Sequence, residues 1–278
     1  MPEQWREVGA NVFVRRHQSF DVNVGLVVGD GGCLVIDTRA THGQARELVE
    51  AIRTITPDPW TVVNTHGHFD HCFGNNVFRP AEIWAHERCA AELRLHGERQ
   101  RRLLRQRAEQ DGRAHLAAEL TEVVIDPADR VLSEFADLVI GGRPVELRFL
   151  GRGHTDQDIV VVIPDSDVIF TGDLVEEGAP PDFDDSFPLN WPATVAGMLP
   201  LGHAVFVPGH GAVVDRDYVE QQAGDLEQSA MFARAAHAAS RPADEVWAEL
   251  PFPEAAARTA VARAYHQLDD PATTAAEG

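Results

Sequence analysis

Cysteine is scarce in this chain: Cys33, Cys72 and Cys89 are the only three among 278 residues. They show no paired spacing of the kind that staples a small secreted domain, and an odd count suits a reducing compartment, so a cytoplasmic location is expected. Basic residues are outnumbered, 24 Lys plus Arg against 44 Asp plus Glu, for a formal net charge of -20. Such a field repels phosphate backbones and anionic lipid surfaces. Nucleic acid and membranes are therefore excluded as expected partners, which leaves a small-molecule substrate; association into a homo-oligomer stays compatible with the composition. No run reaches the roughly 18 apolar residues of a membrane span. The opening MPEQWREVGANVFV lacks a basic stretch followed by an apolar one, so no secretory leader is expected. Low-complexity linkers and short-period repeats are missing as well, and a single domain over residues 1–278 is expected.

What is present is a core-forming share of apolar residues, 44%, arranged in short runs. NVFVRR, VNVGLVVGD and CLVIDT read as strands joined by tight turns at Gly and Asp. A helical pattern follows from Thr41 to about Ile55, stopped by Pro57 and Pro59, and TVVNT is the next strand. After a short strand EIWAH, residues 87 to about 120 have helical composition and form a helical insertion, rich in arginine at Arg94, Arg99, Arg101, Arg102, Arg105 and Arg107. VELRFL, DIVVVIP, VIFTGD and AVFVPGH are four further strands. From about Arg216 onward the chain is Ala-rich and helical, broken at Pro242 and at Pro251 to Pro253, and the final PATTAAEG is expected to fray. Two runs of strands separated by helices predict an α/β fold of two packed sheets with helices outside.

The stretch NTHGHFDHCFGNN concentrates three histidines and an aspartate in the six residues from His66 to His71, directly after a strand. In extended or loop backbone, residues two apart point to the same side, so His66 and His68 can share one ion. Asp70 and His71 are consecutive and diverge, so they can face a second ion beside the first. Imidazole and carboxylate are ligand types that suit zinc. Three later strands each run into a ligand-type residue beside glycine: His154 after VELRFLGRG, Asp173 in VIFTGD and His210 in AVFVPGH. The candidate metal set is thus His66, His68, Asp70, His71, His154, Asp173 and His210. Two divalent ions, expected to be Zn2+ with Fe or Mn as substitutes, match seven donors of this kind.

Taken in order, HGHFDH, GHTD, FTGD and PGHG resemble the motifs of the metallo-β-lactamase fold superfamily, over about Val12 to about Val214. The resemblance implies an αββα sandwich of two mixed β-sheets flanked by helices. It also implies that His66, His68 and His154 hold one metal, that Asp70, His71 and His210 hold the other, and that Asp173 bridges them, the glyoxalase-type set. Asp37 in LVIDT matches the family's first motif, where an aspartate supports the metal-binding loop; an ordinary strand-end turn residue would read the same way.

The function that follows is a binuclear metal-dependent hydrolase. A water held by two cations ionises near neutral pH, the resulting hydroxide attacks a small ester, thioester or lactone-type substrate, and Asp70 orients it and shuttles a proton. β-Lactamases of the family usually carry cysteine or serine where Asp173 stands, so antibiotic hydrolysis ranks lower. Lactonases acting on acyl-homoserine lactones usually have tyrosine three residues later, where this chain has Glu176. The alternative in another reaction class is a mononuclear iron persulfide dioxygenase of the same superfamily. Phe183, Phe187 and Trp191, in the loop from Glu176 to Pro192, either wall a substrate pocket or pack that loop, packing being the default. The arginine run is read first as a solvated face and second as an anion-attracting cover over the site. His17, His42, His86, His96, His115, His203, His237 and His266 are read as surface or satisfied core histidines, and Cys72 as a small apolar filler.

Overall fold

The short β-branched runs become strands, and the connections between them decide how those strands pair. In the computed structural model, which describes residues 4–270, β1 (Arg6–Gly9), β2 (Val12–Arg16), β3 (Asn23–Val28), β4 (Cys33–Ile36), β5 (Trp60–Val63), β6 (Ile83–His86) and β7 (Arg130–Leu132) form a seven-stranded sheet in that order. β1 to β4 are joined by short turns and pair antiparallel. β4 to β7 pair parallel, as they must when a crossover segment separates each strand from the next. α1 (His42–Arg53) makes the first crossover. Its N-terminus is set by Thr41, whose Oγ1 accepts the Gln44 N–H at 3.2 Å, and its apolar stripe buries Leu48 and Ile52 with Val35, Val62, Phe73 and Phe78.

The second sheet has the order β12-β11-β10-β9-β8: β8 (Phe135–Ile140), β9 (Arg143–Phe149), β10 (Ile159–Ile163), β11 (Val168–Glu176) and β12 (Val205–His210). Pairing from β8 through β11 is antiparallel. β10 and β11 are buried at every position, which is why they read as continuous apolar runs without alternation. The chain groups into two units: the described residues through Phe149 together with Ile159–Phe170, and Leu150–Asp158 together with Thr171 onward.

The expected helical insertion is two helices, α3 (Glu87–Gln110) and α4 (Ala114–Glu122). Arg101, one of the arginine run, fixes the pair: its guanidinium donates to the carbonyls of Leu120 and Thr121 at 3.1 and 3.2 Å, at the end of α4, and pairs with Glu98 at 2.9 Å. Arg105 pairs with Glu109 one turn on, and Arg94, Arg99, Arg102 and Arg107 are exposed.

Further along lie a short helix α5 (Trp191–Ala196), then α6 (Arg216–Ala238) and α7 (Glu254–Asp269). The last two bury alanines, among them Ala230, Ala233 and Ala264, with Leu189; small side chains let helices approach closely. The final PATTAAEG lies outside the described residues. Among the described residues, no helix is long and apolar enough to cross a membrane.

Two measurements check this packing. Arg101→Ala should lower stability by about 1 kcal/mol, because it strips the last carbonyls of α4 of a charged donor, and the shift is read from the unfolding midpoint. Cys33, Cys72 and Cys89 are all buried. Burial pushes the Cys33 thiol up to about 11 and raises that of Cys72 well above the ordinary thiol value, so no thiol should react rapidly with an aromatic disulfide reagent until the protein is unfolded, when three should.

Candidate metal centre

The cluster begins where β5 ends. His68 starts α2 (Phe69–Cys72), a single turn that carries Asp70 and His71, so the ligand-type residues lie on an extended segment followed at once by a helical turn. The rings of His66 and His68 are 4.7 Å apart and those of His66 and His71 4.3 Å apart. Gly74 lets the chain double back beneath them: a Cβ there would lie 1.9 Å from the Thr38 carbonyl oxygen. The thiol of Cys72 donates back to the His68 carbonyl at 3.0 Å and packs in the apolar core, as a filler residue should.

Asp37 stands directly behind this turn. Its Oδ2 accepts from His71 Nδ1 at 2.8 Å and from the Thr65 hydroxyl at 2.9 Å, and its Oδ1 accepts the Thr65 N–H at 2.8 Å. Both the ring of His71 and the backbone ahead of His66 are therefore anchored on one carboxylate. With Nδ1 occupied, His71 presents Nε2 outward, the arrangement that fixes the tautomer of a metal-binding imidazole. Asp37 holds a left-handed backbone, φ +68°, a strained conformation typical of functional positions. Burial raises its carboxyl above the usual range, while the charge and hydrogen bond of His71 and the Thr65 bonds oppose that rise.

The later ligand-type residues are built in the same manner. His154 lies in a turn after β9, where Asp158 ties the loop by accepting the Thr155 N–H at 2.7 Å and the Thr155 hydroxyl at 2.8 Å. Its Nδ1 donates to the Asp182 carbonyl at 3.2 Å, which leaves Nε2 outward, 3.5 Å from Asp173 Oδ2. Asp173 lies within β11 instead of at its end, because the strand continues through buried Leu174 and Val175 to Glu176. His210 ends β12, and its Nε2 is 3.2 Å from Asp173 Oδ2. Gly209 is required beside it: a Cβ there would be 1.7 Å from Asp173 Oδ1.

Within the first unit the donor atoms of His66 and His68 lie within 4.8 Å of each other, as do those of Asp70 and His71; within the second, those of His154 and Asp173 do. Donors bound at about 2.1 Å around a tetrahedral ion are roughly 3.4 Å apart. The two distances at Asp173 match that spacing, and an imidazole-plus-carboxylate set is the donor chemistry of a zinc-type ion, so the residues fit the metals implied by the motifs. The seven residues singled out from the sequence divide between the units, His66, His68, Asp70 and His71 in the first and His154, Asp173 and His210 in the second.

Sequence reasoning missed one carboxylate here. Glu176, weighed only as a missing tyrosine, is buried, and its Oε1 accepts the Asp182 N–H at 3.1 Å and lies 3.8 Å from His154 Nδ1. Burial, then the charge of Asp173, push it up to about 8 against the opposing charge of His210 and the Asp182 N–H. A second acidic residue, closing the buried strand VIFTGDLVE three residues after Asp173, was the available signal. Phe183 and Trp191 are core, stacked edge-on with each other, and Trp191 meets the His154 ring edge-on. Its indole N–H donates to the Leu174 carbonyl at 3.1 Å. Packing thus accounts for both aromatics; Phe187 is half-buried beneath Arg152. Of the other histidines, His17 and His86 are fully buried with polar partners, His86 through the Arg88 N–H and the Ser133 carbonyl, and His42 Nε2 accepts the Val124 N–H.

Comparison with known proteins agrees with this geometry. The family model of the metallo-β-lactamase superfamily matches residues 19–216. The chain is 26% identical over 200 residues to a type 2 metallo-β-lactamase of Bacillus cereus, covering 69% of this chain and 68% of that one. It is also 26% identical over 193 residues to the 2,4-dinitroanisole O-demethylase subunit alpha of Nocardioides sp. (strain JS1661), covering 66% of this chain and 51% of the relative. Among solved structures, the mono-zinc form of the metallo-β-lactamase FIM-1 from Pseudomonas aeruginosa superposes with a TM-score of 0.63 at 19% identity, over 83% of this chain and 97% of that one. That likeness establishes the fold, two β-sheets flanked by helices, as the motifs implied. The chain belongs to the metallo-β-lactamase superfamily and is a metal-dependent hydrolase.

Proposed function

We propose that this protein is a binuclear zinc hydrolase that cleaves a small ester, thioester or lactone-type bond in the cytoplasm. The observation that carries the reading is the placement of Asp173, whose Oδ2 is 3.5 Å from His154 Nε2 and 3.2 Å from His210 Nε2. A carboxylate set between two imidazoles could serve as a ligand to both ions. His66, His68 and His154 would hold one ion and Asp70, His71 and His210 the other. A pair of divalent cations supplies Lewis acidity and brings the pKa of water down to about 7.

The chain's own residues do the rest. Asp37 and the Asp182 carbonyl hold His71 and His154 in one tautomer, so their Nε2 atoms are available as acceptors. Asp70, buried with its Oδ1 3.9 Å from His71 Nε2, is the acid–base group. It takes a proton from the attacking water as the water oxygen bonds to the acyl carbon, and returns it to the alcohol or thiol that leaves. Acyl transfer to water of this kind needs no basic surface, in keeping with a net charge of -20 and an uncharged or weakly charged small substrate.

The named relatives include metallo-β-lactamases and an O-demethylase subunit, so membership alone leaves the substrate open. An aspartate at position 173, in place of the cysteine or serine usual in β-lactamases of the family, supports ester, thioester or lactone cleavage over β-lactam hydrolysis.

Elemental analysis of purified protein should find two zinc ions per chain, and a panel of thioester, lactone, ester and β-lactam substrates should give turnover on the first three and little on the last. One iron per chain with oxygen uptake would instead mark a persulfide dioxygenase. Asp173→Ala should lose metal and turnover together. Asp37→Asn places an amide where His71 Nδ1–H and two Thr65 donors converge, and metal affinity should fall by roughly 10- to 100-fold, measured by competition with a chromophoric chelator.

A further inference from the structure

We propose that Glu176 is a positioning residue that aims His154 at its metal, acting through the Asp182 peptide group. The inference rests on the reading of His154 as a ligand. The Asp182 peptide is held on both sides: its N–H donates to Glu176 Oε1 at 3.1 Å, and its carbonyl accepts from His154 Nδ1 at 3.2 Å. Glu176 Oε1 is itself 3.8 Å from His154 Nδ1, too far for a direct hydrogen bond, so the orienting contact runs through the peptide.

The carboxylate that anchors this relay is fixed in turn by α6. The Glu176 N–H donates to Gln222 Oε1 at 3.2 Å, and the Glu176 carbonyl accepts from the Tyr218 hydroxyl at 2.7 Å. Gln222 Nε2 also donates to the Leu174 carbonyl at 2.8 Å. The acceptor is thus tied to a 23-residue helix, while the segment between it and Asp182 has no helix or strand of its own. There, Gly178, Ala179, Pro180 and Pro181 border a cavity of about 290 Å³, so the Glu176–Asp182 bond is what returns the chain to the imidazole. Glu177 makes a matching tie to the other ligand-bearing turn: its N–H donates to the His210 carbonyl at 3.2 Å and its Oε2 accepts the Ala212 N–H at 2.6 Å. Two consecutive glutamates at the end of β11 therefore brace the turns that carry His154 and His210.

Two substitutions separate this role from simple packing. Glu176→Gln keeps an oxygen that can accept the Asp182 N–H, whereas Glu176→Met fills a similar volume without an acceptor and suits a buried position. Chelated wild type and both variants are titrated with Co2+, followed by visible absorption and by competition with a chromophoric chelator, and their thermal unfolding is recorded without metal. Glu176→Gln should bind within about threefold of wild type, while Glu176→Met should bind roughly 10- to 100-fold more weakly at one of two positions, with an altered absorption band there and the other position unchanged. Wild-type affinity and spectrum in Glu176→Met would overturn the proposal. Equal weakening in both variants would overturn it too, by assigning the effect to charge, and so would equal weakening at both positions in Glu176→Met, which is a packing defect. A wild type that takes up no Co2+ would remove the metal-site reading itself, a separate result from any difference among variants.

Discussion

A carboxylate buried between two imidazoles is the constraint around which this molecule is organised. Taking an ionised carboxylate out of water costs several kcal/mol unless partners compensate it, and Asp173 lies in a strand whose every residue is buried. Its Oδ2 faces His154 and His210 at separations close to those of donors sharing an ion. A bound divalent cation would relieve this crowding of acceptors, and a cation is also what the chemistry of a metal-dependent hydrolase needs. Stability of the centre and reactivity of the centre thus have one source.

The surrounding structure keeps those donors from rotating away. His71 is held by Asp37, and His154 by the Asp182 carbonyl, so in each case one ring nitrogen is committed to the protein and the other faces outward. Holding an imidazole from behind matters because an outward nitrogen that is free to turn loses both affinity and geometry. The backbone has been bent to suit: Asp37 adopts a left-handed conformation at the end of β4, and residue 209 must lack a Cβ for the Asp173 carboxylate to fit. Such local costs persist only where the rest of the fold over-determines them. Here the over-determination comes from two sheets of buried aliphatic strands, β4, β10 and β11 above all.

A fold of this kind hosts many reactions, and superfamily membership alone does not select the substrate. What distinguishes this chain is an aspartate at position 173 between His154 and His210, an acidic composition, and a loop after β11 whose Phe183 and Trp191 are spent on packing. The arginines of the helical insertion contribute to structure in at least one case, since Arg101 holds the end of α4.

Much of this was legible in the residues themselves. Strands such as CLVI and IVVVI declare themselves by unbroken β-branched composition, and α1 by its threonine cap and apolar period, because those signals are local. The shortest or most exposed strands, β1, β7 and β8, went unread: three to six residues with little burial carry too weak a pattern. The seven candidate donors stood out for a chemical reason, that imidazole and carboxylate beside glycine after an apolar run are ligand chemistry placed at strand ends. By contrast, the two hydrogen bonds on the Asp182 peptide and the burial of Glu176 depend on backbone groups whose identity no side chain announces. Sequence by itself determined which atoms could bind a metal, since ligand chemistry is a property of residue type and spacing. Only the tertiary structure decided which partner stands behind each ligand, since that is a matter of distances between segments far apart along the chain.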